Sequence, residues 1–277
     1  MTVPVLRAEG PVLVFGGPYS NLQATTALFA EAERLGIPPA RIVCTGDVVA
    51  YGADPAATLD RVMESGCAVI AGNCEENLAG GQPDCGCGFG EGTACDLLSR
   101  AWYPYAARRL SGAQRRWMAA MPARLVLEIG GRRLAVIHGG VAETARFLFA
   151  SAPEEALAAE IASAGCDGVI AGHCGIPFAR VAGGGLWLNA GAIGMPADDG
   201  TPRSWFALLW PGGRGLRAEI RPLSYDHAAA AAAMRAAGLP EGYATALGSG
   251  IWPSCDVLPP AERARRGQPL APPALDW

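Results

Sequence analysis

Four apolar runs of this chain each end in residues that can bind a metal ion, and this arrangement constrains the fold more than any other feature. Two of the three histidines, His138 and His173, lie at these ends. In α/β folds the loops that follow parallel strands meet at one edge of the sheet, so the four ends can converge. The pattern predicts one metal site, and the alternative is that the histidines are buried and only satisfy backbone groups. The segments are Gly46-Asp47, Gly72-Asn73-Cys74-Glu75, His138-Gly139-Gly140 and Gly172-His173-Cys174-Gly175.

The first seventy residues alternate between strand and helix patterns. Apolar runs at Pro11–Gly16, Arg41–Thr45 and Cys67–Ala71 predict three buried strands. Between them, helical spacing predicts helices at about Asn21–Leu35 and Pro55–Glu64, the second capped by Asp54. This βαβαβ order predicts a parallel sheet whose carboxyl ends carry the functional loops.

The segment from about 81 to 122 is expected to be an insertion that covers the site. It contains a cysteine- and glycine-rich loop, a helical stretch near Cys95–Leu110, and a second helix opened by Ser111 with Gln114 as a capping box. Strand patterns then resume, which predicts an α/β fold built as an αββα sandwich, with two mixed β-sheets flanked by helices. The later strands are predicted at Arg124–Ile129, Leu134–Ile137, Gly168–Ala171, Leu186–Asn189 and Trp205–Trp210.

We expect one main domain over residues 1–225, followed by a helical and proline-rich extension at 226–277. His227, in the alanine-rich part of that extension, is expected at the surface without a role. No apolar run approaches the roughly 18 residues needed to cross a bilayer, and the first ten residues do not resemble a secretory signal. These observations predict a soluble, cytoplasmic protein without a membrane partner, and they leave its oligomeric state open.

The charged residues exclude several chemistries. All 22 basic residues are arginines, so neither a Walker-type phosphate lysine nor a Schiff-base lysine is available. The net charge of -4, with the arginines dispersed, provides no basic stripe for a nucleic-acid backbone. A long nucleic acid is therefore not expected as a partner.

Nine cysteines in a chain without an export signal indicate reduced thiols, metal ligands or redox chemistry. Cys44, Cys67 and Cys166 adjoin apolar segments and are expected to be small core residues. Cys74, Cys85, Cys87 and Cys95 fall in a glycine-rich stretch, where three interpretations stay open. The stretch is a thiolate site for a second ion or an iron–sulfur cluster, a thiol-rich flexible loop, or a redox-sensing pair formed by Cys85 and Cys87.

The ordered segments resemble the calcineurin-like metallophosphoesterases, whose pattern runs D-x-H, G-D, G-N-H-D/E, H-G and G-H-x-H. The runs Gly46–Pro55, Gly172–Phe178 and Asn189–Gly194 look like the small bacterial branch of that family. The resemblance covers about Val12 to Tyr225 and implies the sandwich fold and hydrolysis of phosphate esters. In this family two metal ions share the G-D aspartate.

Compared with the family pattern, this chain lacks the ligands that belong to the first ion alone. Gly17 and Tyr19 stand where the first motif has aspartate and histidine, and Gly175 replaces the last histidine. The resemblance implies that the second ion's ligands survive and that a single-metal site remains. Those ligands are Asp47, Asn73, His138 and His173.

The family histidine that is usually taken as the acid or charge stabiliser for the leaving group is Cys74 here, and a second thiol, Cys174, adjoins His173. Thiols favour softer ions, so the expected cofactor is a divalent transition metal, namely iron, zinc or manganese. Cys85, Cys87 and Cys95 are the further candidate thiolate ligands for a second metal or a cluster.

The leading functional hypothesis is a metal-dependent hydrolase that acts on a small phosphate ester or nucleotide. It assigns catalytic roles to Cys74 and His138, with Arg203 as a substrate contact. Trp102, Tyr103 and Tyr105 form either an aromatic wall or part of the core. The alternative is a repurposed fold whose thiolate or iron–sulfur site performs redox chemistry or sensing, and a silent binding module is a third option.

Overall fold

The protein is described here by a computed structural model that covers residues 3–212 and 215–277. The prediction that the first ten residues are not a secretory signal includes Met1 and Thr2, which lie outside the described residues. The described strands form two six-stranded sheets. They are β1 Val5–Ala8, β2 Val12–Phe15, β3 Ile42–Cys44, β4 Ala68–Val69, β5 Leu125–Ile129, β6 Arg132–Val136, β7 Gly168–Ala171, β8 Phe178–Ala182, β9 Gly185–Asn189, β10 Ser204–Gly212, β11 Gly215–Leu223 and β12 Leu275–Asp276.

Helices connect these strands and cover the outer faces of the sheets. A short 3₁₀ turn at Pro39–Arg41 precedes β3. The helices are α1 Leu22–Arg34, α2 Pro55–Ser65, α3 Asn73–Gly80, α4 Ala94–Ala107, α5 Gly112–Ala119, α6 Glu154–Ala164, α7 His227–Ala236, α8 Glu241–Ser249 and α9 Pro260–Arg263.

Both sheets mix parallel and antiparallel pairs. The first sheet has the order β1-β5-β6-β7-β9-β8, and the second has the order β12-β11-β10-β2-β3-β4. β2, β3 and β4 run parallel, as the βαβαβ pattern predicts, whereas β10 joins β2 in antiparallel orientation. The predicted αββα sandwich of two mixed sheets is confirmed.

The layers follow from the two-residue period of a strand. In β2, Val12 and Val14 face a core shared with residues of the first sheet, while Leu13 and Phe15 face a second core formed with the helices. A third core, which includes Trp187, lies on the outer face of the first sheet. The loops that follow β3, β4, β6 and β7 are therefore anchored by strands that pack into these cores.

The predicted elements differ from the observed ones mainly at their ends. Asn21 caps α1 through its side chain, which accepts a hydrogen bond from Ala24 N at 3.0 Å. Asp54 is the N-cap residue of α2, as predicted, although its side chain makes no cap hydrogen bond. The strand predicted at Cys67–Ala71 is only two residues long. Helix α3, which begins at Asn73, was not predicted.

The insertion and the C-terminal extension both pack onto the sandwich. The Ser111–Gln114 capping box is present at α5, as predicted. In the extension, β12 pairs with β11, with Ala218 opposite Leu275. Within residues 3–212 and 215–277, every helix is too short or too polar to span a bilayer.

Candidate metal centre and active site

Three predicted ligand residues converge on Nε2 of the fourth, His138. Asn73 Oδ1 and His173 Nδ1 each lie 3.1 Å from it. The nearer oxygen of Asp47, Oδ2, lies 3.2 Å away. Asp47, His138 and His173 can present ligand atoms that all lie within 4.8 Å of one another. The structure therefore brings together all four residues that the strand-end pattern singled out.

The chemistry of these four groups fits a shared cation. His138 Nδ1 lies 2.6 Å from the carbonyl oxygen of Thr45, which can only accept, so Nδ1 carries a proton. In the neutral ring, Nε2 then points a lone pair at the lone pairs of Asp47 and Asn73. Ligands bound to one transition metal at about 2.0–2.2 Å are themselves roughly 3 Å apart. The observed spacing is the spacing that such an ion requires.

The Asn73 amide is oriented by the insertion. Its Nδ2 donates to the carbonyl oxygen of Cys85 at 2.9 Å and lies 3.4 Å from Cys87 Sγ. Because the NH₂ group is engaged there, the amide oxygen faces His138. The loop at Cys85–Cys87 is thus an outer support of the ligand cluster.

Glu75 ties the two loops that carry Asp47 and Asn73. Its side chain is fully buried and accepts hydrogen bonds from the backbone N–H groups of Asp47 at 2.8 Å, Gly72 at 2.9 Å and Val49 at 3.2 Å. Burial and the neighbouring Asp47 raise the pKa of Glu75 to about 7. This carboxyl group positions the ligands without lining the cavity.

Two ligand residues have backbone conformations that are unusual for a residue with a side chain. Asp47 has φ +55° and His173 has φ +61°. Such positions cost about 1–3 kcal/mol each and persist where the surrounding structure enforces them. Phe147 packs against the His173 ring, with centroids 4.2 Å apart. The fold therefore holds both ligands in place at an energetic cost.

The charges of the cluster are strongly coupled in the absence of an ion. Burial alone lowers the pKa of His138, but the Asp47 carboxylate outweighs it and raises this pKa to about 9. Burial alone raises the pKa of Asp47, but His138 lowers it to about 2. Burial, followed by the charge of His138, lowers the pKa of His173 to about 3. His138 thus holds a proton at neutral pH that a bound cation would replace.

Two of the four ligand residues, Asp47 and His173, line a cavity of about 80 Å³ whose walls include six aromatic side chains. The insertion contributes Cys87, Phe89 and Cys95, and the C-terminal extension contributes Tyr243, Trp252 and Ser254. Among the described residues that line the cavity, none is an arginine. The remaining aromatic walls are Tyr19, Tyr51 and Phe147.

The predicted thiolate site is not assembled. Cys85 and Cys87 form a disulfide, and Cys74, Cys95 and Cys174 are free thiols. In the part of the chain that the structure describes, the group of metal-capable side chains is Asp47, His138 and His173, without a cysteine. The expected thiolate-bound second ion or iron–sulfur cluster therefore receives no support from the positions of these sulfurs.

Two predicted site residues lie away from the cavity wall. Cys74 is 1% exposed, and burial, followed by Asp47, raises the pKa of its thiol. It lies beneath the ligands and does not line the cavity, so the structure does not bring it to a leaving group. The Arg203 guanidinium pairs with Asp199 at 3.3 Å and donates to the Leu270 carbonyl at 2.5 Å. Because the Arg203 guanidinium is bound to Asp199 and Leu270, it does not reach the cavity, and the prediction that Arg203 contacts the substrate is wrong.

The predicted aromatic wall is part of the core. Trp102 and Tyr103 are buried, and the Tyr105 hydroxyl donates to the Ala53 carbonyl at 2.8 Å. The residues that instead surround the cavity come from distant segments. The sequence could have indicated the role of Glu75, because it stands three residues after Gly72 at the start of α3, which is the position of a capping glutamate. Trp252 carried none.

Comparisons with known proteins identify the family of this chain. Residues 20–209 match the family model of the calcineurin-like phosphoesterase superfamily domain. An uncharacterized protein of Methanocaldococcus jannaschii is 24% identical over 190 residues, which cover 68% of this chain and 71% of that protein.

Two solved structures share the fold. A metallophosphoesterase from Sphaerobacter thermophilus has a TM-score of 0.70 at 21% identity, with 88% of this chain and 100% of that chain covered. A hypothetical protein from Pyrococcus horikoshii OT3 has a TM-score of 0.74 at 19% identity, with 87% and 99% covered. The family match over more than half of the sequence confirms the resemblance, and this chain belongs to the calcineurin-like phosphoesterase superfamily.

Proposed function

We propose that this chain is a metal-dependent phosphoesterase that hydrolyses a small phosphate ester at a centre holding one ion. The observation that carries the proposal is the convergence of Asp47, Asn73 and His173 on His138 Nε2 at 3.1–3.2 Å. A divalent ion held there would lower the pKa of water and polarise a phosphoryl oxygen. Zinc, iron and manganese all suit a set of two imidazoles, a carboxylate and an amide oxygen.

The residues around the ligands supply orientation. Thr45 fixes the proton of His138 on Nδ1, Cys85 orients the Asn73 amide, and Glu75 joins the two ligand loops. Each interaction fixes a ligand before substrate arrives, which reduces the reorganisation needed during the reaction. Residues of the insertion and of the C-terminal extension line the cavity beside Asp47 and His173, and they shield the centre from water on those sides.

The cavity supports a substrate with a small apolar or planar substituent. Tyr51, Phe89, Phe147 and Trp252 offer ring surfaces on several sides. A volume of about 80 Å³ is below the roughly 300–1,000 Å³ typical of sites for drug-sized ligands. We therefore propose a phosphate ester of modest size, with entry of a nucleotide requiring movement of the covering segments.

The test combines metal content with turnover. Wild type, His173→Ala, Cys74→Ser and His227→Ala are loaded with zinc, manganese, iron(II) or cobalt. We then assay p-nitrophenyl phosphate and bis(p-nitrophenyl) phosphate. We expect His173→Ala to lose both the ion and turnover, whereas Cys74→Ser keeps the ion. His227, the first residue of α7, serves as the matched histidine control.

Folded wild-type protein that binds an ion but hydrolyses neither ester with any of the four metals would contradict the enzymatic proposal. Protein that binds no ion would contradict the metal centre itself. A fall in metal content in Cys74→Ser would instead favour the thiolate alternative.

A further inference from the structure

The side chain of Tyr19 occupies the space between Gly17 and Gly175. A Cβ atom added at Gly17 would lie 2.6 Å from Tyr19 Cζ and 2.8 Å from Cε2. A Cβ added at Gly175 would lie 3.9 Å from the Tyr19 hydroxyl and 3.4 Å from Trp252. An aspartate at 17 and the Tyr19 ring therefore cannot both be accommodated in this arrangement.

These positions are the ones that the family pattern assigns to ligands of the first ion alone. Tyr19 itself stands at a third such position, directly beside the shared aspartate, Asp47. We propose that the Tyr19 ring fills the first half-site, so that the centre holds one ion, and that its hydroxyl contacts the phosphoryl group in place of a second cation. This inference rests on the proposed single-ion phosphoesterase.

The ring is held firmly in that place. Tyr19 is 7% exposed and meets the Tyr51 ring edge to face, with centroids 4.9 Å apart. Tyr51 in turn packs against Trp102 at 5.0 Å and Tyr243 at 4.8 Å. Edge-to-face aromatic pairs are stabilising beyond the apolar area that they bury. A ring in such a stack does not move aside readily for an incoming ion.

The backbone also fixes the ring. Tyr19 has φ +51° and follows Gly17, at φ +49°, which turns the chain back on itself. Tyr19 N donates to the Asp47 carbonyl at 3.2 Å, and Gly17 N donates to the Gly46 carbonyl at 3.0 Å. The first-motif loop is thereby bonded to the loop that carries the retained ligand.

The hydroxyl is well placed to contact substrate. Tyr19, Asp47, His173 and Gly175 line the same cavity, so the phenol and two ligand residues face a common space. A phenol is a neutral donor and acceptor at neutral pH. It can donate one hydrogen bond to a phosphoryl oxygen where a second cation would otherwise have stabilised that oxygen.

The first experiment measures metal equivalents by elemental analysis after equilibrium dialysis against manganese or zinc. Wild type and Tyr19→Phe should each bind one equivalent, because the ring remains in both. The triple variant Gly17→Asp, Tyr19→His, Gly175→His rebuilds the family ligands and should bind two. Two equivalents in wild type, or one in a folded triple variant, would overturn the claim that the ring fills the half-site.

The second experiment measures the affinity of the metal-loaded protein for inorganic phosphate by calorimetry. One hydrogen bond to a charged group is worth about tenfold in affinity, so Tyr19→Phe should raise the Kd about tenfold. Tyr225→Phe, which removes a hydroxyl outside the cavity, should leave it unchanged. Equal Kd values for wild type and Tyr19→Phe would overturn the hydroxyl contact.

The two proposals fail in distinguishable ways. If wild type binds no ion, both the proposed function and this inference are wrong. Wild type with one equivalent, but with phosphate affinity insensitive to Tyr19→Phe, removes only the role of the hydroxyl. If the triple variant does not fold, the wild-type stoichiometry and the Tyr19→Phe affinity still decide.

Discussion

Gly72→Ala should disrupt the metal centre by placing a single methyl group among its ligands. Gly72 has an ordinary backbone angle, φ -93°, so the substitution adds no left-handed strain. An added Cβ would lie 2.7 Å from Asp47 N and 2.8 Å from His138 Cε1, and it would also meet Asp47 Oδ1. These neighbours belong to two of the four ligand residues and cannot all give way.

The size of the effect follows from the displacement. Ordinary Cβ contacts begin near 3.4 Å, so the His138 ring must move by about 0.6 Å, the difference between 3.4 and 2.8 Å. Disturbing the groups that position metal ligands costs about 10- to 100-fold in metal affinity, and the upper end of this range corresponds to about 2.7 kcal/mol. Overpacking should separately destabilise the metal-free fold by about 1–3 kcal/mol.

A competitive chelator titration measures the affinity, and chemical denaturation measures stability with and without metal. With metal at about 1,000 times the wild-type Kd, binding stabilises wild type by about 4.1 kcal/mol. It stabilises a variant with a hundredfold weaker Kd by only about 1.4 kcal/mol. The reduced stabilisation is separate from the loss of stability in the metal-free state.

Gly80→Ala is the matched control at the other end of α3. A Cβ there would meet only Gln82, at 3.6 and 3.7 Å, and alanine is favoured over glycine in a helix by about 0.5–1 kcal/mol. Metal affinity should stay at the wild-type value. The reasoning is refuted if folded Gly72→Ala binds metal within about threefold of wild type, because Asp47 and His138 would then not hold the ion.

Three further predictions concern charge, substrate and thiols. The metal-free protein should lose stability as pH rises, because the folded-state pKa of His138, about 9, is above the ordinary value of 6.5. The stabilisation from protonated His138 is fully present below about pH 6.5 and is lost as the pH rises through about 9. Denaturation at pH 6 and 9.5 checks it, and His138→Gln should flatten the difference. A divalent ion with the Asp47 carboxylate leaves a net charge of about +1, which attracts a dianion more strongly than a monoanion, so KM should be lower for p-nitrophenyl phosphate than for bis(p-nitrophenyl) phosphate, and the reverse order would contradict this charge balance. Cys95→Ser should change zinc affinity by less than about threefold, whereas loss of a bound equivalent would restore the thiolate hypothesis.

Much of the fold could be predicted because many of its strands are short apolar runs that are followed by glycine. The runs around Val12–Phe15 and Ile42–Cys44 carry that signal, and the family motifs give their order. Strand β11 and helix α6 were not predicted. In β11, buried and exposed residues alternate among arginines, so no continuous apolar run marks it. In α6, alanines on most faces weaken the helical period.

The ligand cluster was predictable because each ligand is local to a strand end. Asp47 and Asn73 follow β3 and β4 of the second sheet, and His138 and His173 follow β6 and β7 of the first sheet. The cavity walls were not predictable in this way. Phe147 and Trp252 lie in irregular segments, and their approach to His173 and Gly175 depends on packing between parts of the chain that are distant in sequence. Periodicity contains no information about such contacts.

The substitutions at Gly17, Tyr19 and Gly175 read in sequence as three separate losses, whereas the structure relates them to one steric change. Gly17 has no Cβ in the space that the Tyr19 ring occupies, and Gly175 leaves room for the Tyr19 hydroxyl and Trp252. Restoring aspartate at 17 alone would place a side chain inside an aromatic ring. The family ligands can therefore return only together with removal of the tyrosine, which makes these positions energetically coupled in the sense that double-mutant cycles measure. In the proposed single-ion centre, such coupling would keep the first half-site closed while Asp47, Asn73, His138 and His173 hold the ion.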